Sequence, residues 1–215
     1  MDETLRITEI FVSIQGESTF AGLPCVFVRT TGCPLRCRWC DTAYAFAGGD
    51  TMTLEQVQAR VLDYGVPLVE ITGGEPLSQA GVLPLMTALC DADRTVLLET
   101  SGALDIAPVD DRVRVVMDIK CPDSGEQERN LAANLVCLKP TDEVKFVVAS
   151  RRDYEFARAQ VETHDLARRC SVLLSTVFGE IDRRQVVEWM LADRLPARFQ
   201  LQMHKFIWPP NQPGV

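Results

Sequence analysis

Short runs of β-branched and apolar residues alternate along this chain with amphipathic stretches of helical length. That alternation restricts the fold more than any other property of the sequence, because strand, helix, strand is the βαβ unit, whose strands lie parallel with a helix covering one face. Strands are expected over 7–12, 26–30, 68–72, 96–100, 113–119, 144–148, 172–175 and 199–203, the first and last at the periphery. Helices are expected over 53–64, 81–92, 154–164 and 182–192. The first has readable ends: Thr53 and Gln56 form a capping box, Leu54, Val57, Val61 and Leu62 share a face, and Gly65 stops it. By contrast, 123–130 is polar and reads as a loop or frayed turn, and 105–111 and 123–138 have little helical periodicity. No linker breaks the pattern, so an α/β fold in one domain over 1–215 is expected.

Composition narrows the partners. Lysine and arginine total 22 against 30 acidic residues, a net charge of -8, with no basic block to track a phosphate backbone, which argues against nucleic acid. Residues 1–6 lack a basic and apolar leader, and no apolar run approaches the roughly 18 residues needed to span a bilayer. The expectation is a cytoplasmic protein away from membranes. Five of the eight cysteines (Cys25, Cys90, Cys121, Cys137, Cys170) are scattered singly, in a chain too long for a disulfide scaffold, and read as small buried hydrophobes or idle thiols.

The other three are different. Cys33, Cys37 and Cys40 form a C-x3-C-x2-C triplet, which can hold three irons of a 4Fe-4S cubane and leave the fourth open to a ligand that is not protein. Structural zinc also uses closely spaced cysteines, but it needs a closed tetrahedron, and only Cys25, at irregular spacing, or His204 is offered as a fourth ligand. A zinc-stabilised binding module is the competing reading from a different class.

Polar residues that interrupt the apolar runs gather just past the carboxyl ends of the expected strands. Thr72-Gly73-Gly74-Glu75-Pro76, Glu99-Thr100-Ser101-Gly102, Asp118-Ile119-Lys120, Ser175-Thr176 and His204-Lys205 all stand there. In α/β barrels and open sheets that rim is where ligands bind. Each motif alone has a plain reading: the glycine pair as a strand-to-helix turn with Pro76 at a helix start, His204 as a core or surface residue, and Arg29 as a solvated strand-end charge. His164, between Glu162 and Asp165 in a polar helix end, has only the plain one.

Taken together, the cysteine triplet, with Trp39 before its last cysteine, and Gly73-Gly74-Glu75-Pro76 resemble the radical S-adenosylmethionine superfamily over nearly the whole chain. The resemblance implies a partial, modified (β/α)6-type barrel and a 4Fe-4S cluster on Cys33, Cys37 and Cys40. It further implies S-adenosylmethionine chelating the open iron and being cleaved to a 5'-deoxyadenosyl radical. Within it, the run from Glu9-Ile10-Phe11 to Gln15-Gly16-Glu17, then Arg29 and Cys40-Asp41-Thr42, resembles the 7-carboxy-7-deazaguanine synthase family of queuosine biosynthesis. Its substrate is 6-carboxy-5,6,7,8-tetrahydropterin, which undergoes ring contraction with loss of ammonia. By that resemblance Thr42 is a magnesium ligand. Trp39, Cys40, Asp41, Gly74, Glu75, Ser101, Asp118, Ile119, Lys120, Ser175 and Thr176 hold S-adenosylmethionine. Ile14, Gln15, Gly16, Glu17, Arg29, Thr72, Glu99 and His204 meet the pterin. An electron donor such as a flavodoxin and a homodimeric state also follow, with Arg36 and Arg38 as the expected basic dock. Ser18 departs from the family, where a glycine often follows Gln-Gly-Glu. A glycyl-radical activating enzyme shares the cysteine triplet and the Gly-Gly-Glu-Pro segment, but Gln15-Gly16-Glu17 and Asp41-Thr42 argue against it.

Overall fold

The computed structural model describes residues 4–215; residues 1–3, part of the stretch read as lacking a leader, lie outside the described residues. Among the described residues nine strands form one mixed, open sheet in the order β3-β1-β2-β4-β5-β6-β7-β8-β9. These are β1 (Thr4–Ile14), β2 (Pro24–Thr30), β3 (Asp50–Thr53), β4 (Leu68–Gly73), β5 (Thr95–Thr100), β6 (Arg114–Asp118), β7 (Glu143–Val148), β8 (Ser171–Thr176) and β9 (Arg198–Phe199). From β2 to β9 every pairing is parallel, while β1 runs antiparallel to both β2 and β3. The N-terminal hairpin therefore extends the parallel sheet with antiparallel strands.

One face of this sheet is covered by α1 (Leu54–Asp63), α2 (Val82–Asp91), α3 (Arg151–Thr163), the short α4 (Leu166–Arg169) and α5 (Arg183–Asp193). Alternate strand residues supply the contact: Val26, Val28, Val69, Ile71, Val96, Leu98, Val115, Met117, Val144, Phe146, Val172 and Leu174 pack with Val57, Val61, Leu85, Met86, Leu89, Tyr154, Ala157 and Val186. Burying each such aliphatic or aromatic side chain contributes about 1.5–3 kcal/mol. Helix α1 has the expected capping box, with the Gln56 amide N–H donating to Thr53 Oγ1 at 3.2 Å and Thr53 N–H donating to Gln56 Oε1 at 2.9 Å.

Four sequence expectations change. The expected helix at 154–164 begins earlier, at Arg151, because Ser150 accepts from the Asp153 amide and caps it. Strand β3 was not read, being four residues that pair only with β1. The last strand shrinks from 199–203 to Arg198–Phe199, and His204-Lys205, read as its end, instead opens α6 (His204–Ile207). No helix crosses from β5 to β6, and only 3-10 turns link β6 to β7, so the barrel is reduced as the weak periodicity there suggests. No described helix is long and apolar enough to cross a membrane.

The opposite, inner face begins as a small apolar floor of Cys25, Phe27, Leu68 and Leu97, with Phe11 stacked on Phe27 at 5.1 Å and Phe20 beside them. Above that floor it turns polar. Register places Glu70 beside Phe27 and Leu97, Glu99 beside Val116, and Asp118 beside Lys145. The segment between β1 and β2 folds over this face, and Thr19 donates its N–H to Glu143 of β7 at 3.0 and 3.1 Å.

Candidate active site

The cysteine loop leaves β2 and is laid against the end of β4 by main-chain bonds: Gly74 N–H donates to Thr30 O at 3.1 Å and Glu75 N–H to Gly32 O at 2.7 Å. A Cβ at Gly74 would stand 2.1 Å from Gly32 O, so only glycine lets the two backbones meet. Glu75, by contrast, turns away from the cavity. Its fully buried carboxylate accepts from Thr100 Oγ1 at 2.9 Å, the Ser101 amide at 2.7 Å, the Ser101 hydroxyl and the Leu77 amide at 3.0 Å, tying the Gly-Gly-Glu-Pro turn to the end of β5.

Cys33, Cys37 and Cys40 line one cavity of about 250 Å³ at the carboxyl ends of the strands. Burial raises the pKa of all three thiols, while nearby Lys120 works in the other direction. Lys120 is itself kept charged despite burial by Asp118, 2.6 Å away, and by Cys37. A cation beside the thiols favours the thiolate form that iron requires. Among the described residues no three His, Cys, Asp or Glu side chains converge on one point as a single ion would need. Three cysteines lining one cavity would hold a cubane through three of its irons. Cys25 is fully buried in the apolar floor and is not part of the cavity wall, which leaves His204, in the same wall as the three cysteines, as the fourth ligand for the zinc reading.

The same cavity is lined by Ile14, Gln15, Gly16 and Glu17 from the end of β1, Arg29 from β2, Thr72 from β4, Glu99 from β5 and His204 from α6. Arg29 is fixed by Glu9, to which its Nε donates at 2.7 Å, and Tyr44 donates to the same carboxylate oxygen at 2.8 Å. His204 lies over Gly16: a Cβ there would be 2.3 Å from His204 Nδ1, and Met203 N–H donates to Gly16 O at 2.9 Å. Burial lowers the imidazole pKa, so the neutral ring is favoured. Near the cysteines, Lys205 donates to Asp41 at 2.6 Å and Thr42 Oγ1 donates to the other Asp41 oxygen at 3.0 Å. Burial opposes ionisation of Asp41, but Lys205 outweighs it and holds the carboxyl below its ordinary range.

Trp39, Asp41, Thr42, Gly74, Ser101, Asp118 and Lys120 also share the wall. Glu75, Ile119, Ser175 and Thr176 do not. Ile119 packs in the helix-side core and donates its N–H to Lys145 O at 2.9 Å; Ser175 is buried on β8; Thr176 lines a small neighbouring recess with Phe178 and Gln200. Each is one residue out of phase with the wall or behind it, and strand ends that read alike in sequence differ in this way. Arg36 and Arg38 are already engaged: Arg36 donates to Cys33 O at 2.8 Å and lies over the Phe46 ring, and Arg38 pairs with Glu180 at 2.7 Å.

Sequence reasoning missed Glu70 and Lys145, both in the wall and both nearly unexposed. Their signal was there: each is a charge flanked on both sides by apolar residues in mid-strand, Val69-Glu70-Ile71 and Val144-Lys145-Phe146. Tyr44, Gln202 and the tail residues Pro210, Asn211, Gln212, Gly214 and Val215 also line the wall.

The sequence model of the Radical SAM superfamily matches residues 27–122. A 7-carboxy-7-deazaguanine synthase of Chlorobaculum tepidum is 51% identical over 98% of this chain and 97% of its own. One from Koribacter versatilis is 44% identical over 98% of this chain and 100% of its own. The crystal structure of QueE from Escherichia coli shares the fold, with a TM-score of 0.76 over 92% of this chain and 94% of that one at 24% identity. With whole-length similarity at that level and a cysteine-lined cavity at the strand ends, the chain belongs to the 7-carboxy-7-deazaguanine synthase family, within the Radical SAM superfamily.

Proposed function

We propose that this protein is a radical S-adenosylmethionine lyase that converts 6-carboxy-5,6,7,8-tetrahydropterin to 7-carboxy-7-deazaguanine with loss of ammonia, in queuosine biosynthesis. The observation that carries this reading is that the cysteine triplet and the residues suited to a carboxylated pterin line one cavity. Cys33, Cys37 and Cys40 hold a 4Fe-4S cluster, which together with bound S-adenosylmethionine supplies hydrogen-atom abstraction.

The chain's own residues bind and orient. Trp39, Asp41, Gly74 and Ser101 take S-adenosylmethionine, with Asp118 and Lys120 completing the polar wall. Glu75, Ile119, Ser175 and Thr176 act from behind, holding the strand ends in place. Arg29, already aimed by Glu9, offers a planar fork to a carboxylate or carbonyl of the pterin. Glu17, Glu99 and Thr72 face its amino and amide groups, and neutral His204 closes over Gly16. The tail from Pro210 to Val215 narrows access of water to the reacting carbon.

Thr42 holds Mg2+, leaving most positions to substrate oxygens and water, as is usual for that ion. Its hydroxyl is oriented by Asp41, which Lys205 anchors. Thr42→Ala is expected to retain the cluster while losing magnesium stimulation of turnover, read by titrating Mg2+ into the assay. The enzyme works in the cytoplasm as a homodimer and takes electrons from a donor such as a flavodoxin.

The test is an anaerobic assay of reconstituted protein with dithionite, S-adenosylmethionine, Mg2+ and the pterin, with products separated by chromatography and identified by mass. The deazapurine is expected. If 5'-deoxyadenosine forms without it, the substrate is wrong; if neither forms despite an intact cluster, the reading fails.

A further inference from the structure

Five residues on the inner face form a hydrogen-bonded chain that runs from Glu70 through Gln15, Glu17 and Lys145 to Glu99. Lys145 Nζ donates to Glu17 Oε2 at 2.8 Å and to Glu99 Oε1, and stands 3.6 Å from Asp118. The Glu17 main-chain N–H donates to Gln15 Oε1 at 3.0 Å, and Gln15 Nε2 donates to Glu70 Oε2. The two ends of the chain lie on one face of the adjacent strands β4 and β5, with Glu70 opposite Leu97 and Glu99 two residues further along. Thr72 Oγ1 also donates to Glu99 Oε2 at 3.0 Å and Gln202 Nε2 to Glu17 Oε1 at 2.8 Å.

Glu99 has the Lys145 ammonium on it, whereas Glu70, 4% exposed, accepts from the neutral Gln15 amide and neighbours the Glu99 anion. Two buried carboxyls so placed do not both ionise, and the proton stays on the one without a cation against it, Glu70.

We infer that Lys145 is a positioning residue, clamping Glu17 and Glu99 so that both carboxylates face a ligand edge rich in N–H donors, with Glu70 as the neutral acid at the far end of the chain. Such an edge is what the aminopyrimidinone of a pterin presents, so the inference rests on the function proposed above. Titration behaviour agrees: burial and Glu99 push Glu70 well above the carboxylate range, while Lys145, against the opposing effect of burial, draws Glu99 down to about 2.

Calorimetric titration of cluster-loaded protein with S-adenosylmethionine and 6-carboxytetrahydropterin, without reductant, reads the clamp directly. Lys145→Met is expected to weaken pterin binding about thirtyfold or more, the loss typical when one partner of a buried charge pair is removed. In turnover its KM should rise by more than kcat falls, and Lys145→Arg should recover part of the affinity. Unchanged pterin affinity in folded Lys145→Met overturns the inference.

Difference infrared spectroscopy of wild type against Glu70→Gln at neutral pH is the second measurement, and it needs neither substrate nor the lysine variant to fold. A carboxylic-acid carbonyl band lost in Glu70→Gln supports the neutral acid, and its absence from wild type overturns it. Should the wild type not bind pterin, the proposed substrate fails while the infrared band still decides whether Glu70 is the neutral acid.

Discussion

On the helix-covered face, Val69, Ile71, Leu98, Val144 and Phe146 are sealed in the main core; one residue along on the same strands, Glu70, Glu99 and Lys145 face the cavity. Both faces are buried, yet by different means. The first relies on non-directional apolar contact, which tolerates exchange of one aliphatic for another of similar volume. The second relies on directional bonds in which every donor needs its acceptor, so a single deletion strands a charge. The difference teaches where to look for function on an α/β sheet: at polar side chains that cost free energy to bury and are buried nonetheless.

Substitutions can separate the two faces. The largest effect is expected from Cys37→Ala, which should abolish the cluster and all S-adenosylmethionine cleavage while leaving thermal unfolding of the apoprotein within a few degrees of wild type. Iron content and circular dichroism check this, and a large loss of folding would break the division between chemistry and scaffold. Next come adjacent leucines on opposite faces. Leu98→Ala in the main core is expected to cost about 3–5 kcal/mol by urea denaturation, and Leu97→Ala in the small floor cluster about 2–3 kcal/mol. Equal costs would mean that the floor is as tightly packed as the core.

Acid sensitivity sharpens the contrast further, because the inner face carries the neighbouring carboxyls Glu70 and Glu99, shifted in opposite directions. The carboxyl of Glu99 is held at about 2 in the fold against an ordinary 4.5, so its stabilisation is complete above about pH 4.5 and is lost as the pH falls toward 2. Glu99→Gln should flatten that part of the stability profile, measured as the urea midpoint at several pH values. The raised Glu70 has the opposite sign: its contribution is present at low pH and is lost as the pH rises through its folded pKa. The smallest effect is expected at Ser18, which takes φ 61° in the covering segment. Replacing it with glycine relieves about 1 kcal/mol of left-handed strain, adds about 0.5–1 kcal/mol of chain entropy and deletes the bond from Phe20 N–H, leaving a net change within about 1 kcal/mol by the same denaturation.

Much of this molecule was legible before folding because its interior strands are continuous apolar runs between helices of clear period. The four longer helices and the six strands from β2 to β8 other than β3 were found on that pattern, and a mixed open sheet of the expected class resulted. What was not legible has physical reasons. Strand β3 draws its stability from pairing with β1, which its own sequence does not announce. The residues at 199–203 look apolar enough for a strand, but only two pair, and the chain then turns to bring His204 over Gly16. At the site, strand-end motifs gave the right rim, while the side-chain phase decided that Gly74 and Ser101 face the cavity and Glu75 and Ile119 do not. Glu70 and Lys145 were hidden inside runs that read as core.

The bond from Thr19 to Glu143 joins residues 124 positions apart. The N-terminal hairpin can form early from neighbouring residues, but the surface that covers the cavity needs β7, more than half the chain later, before its anchor exists. Contacts of such separation pay their loop-closure entropy before they return any stability. The cavity is thus among the last parts of this protein to come together.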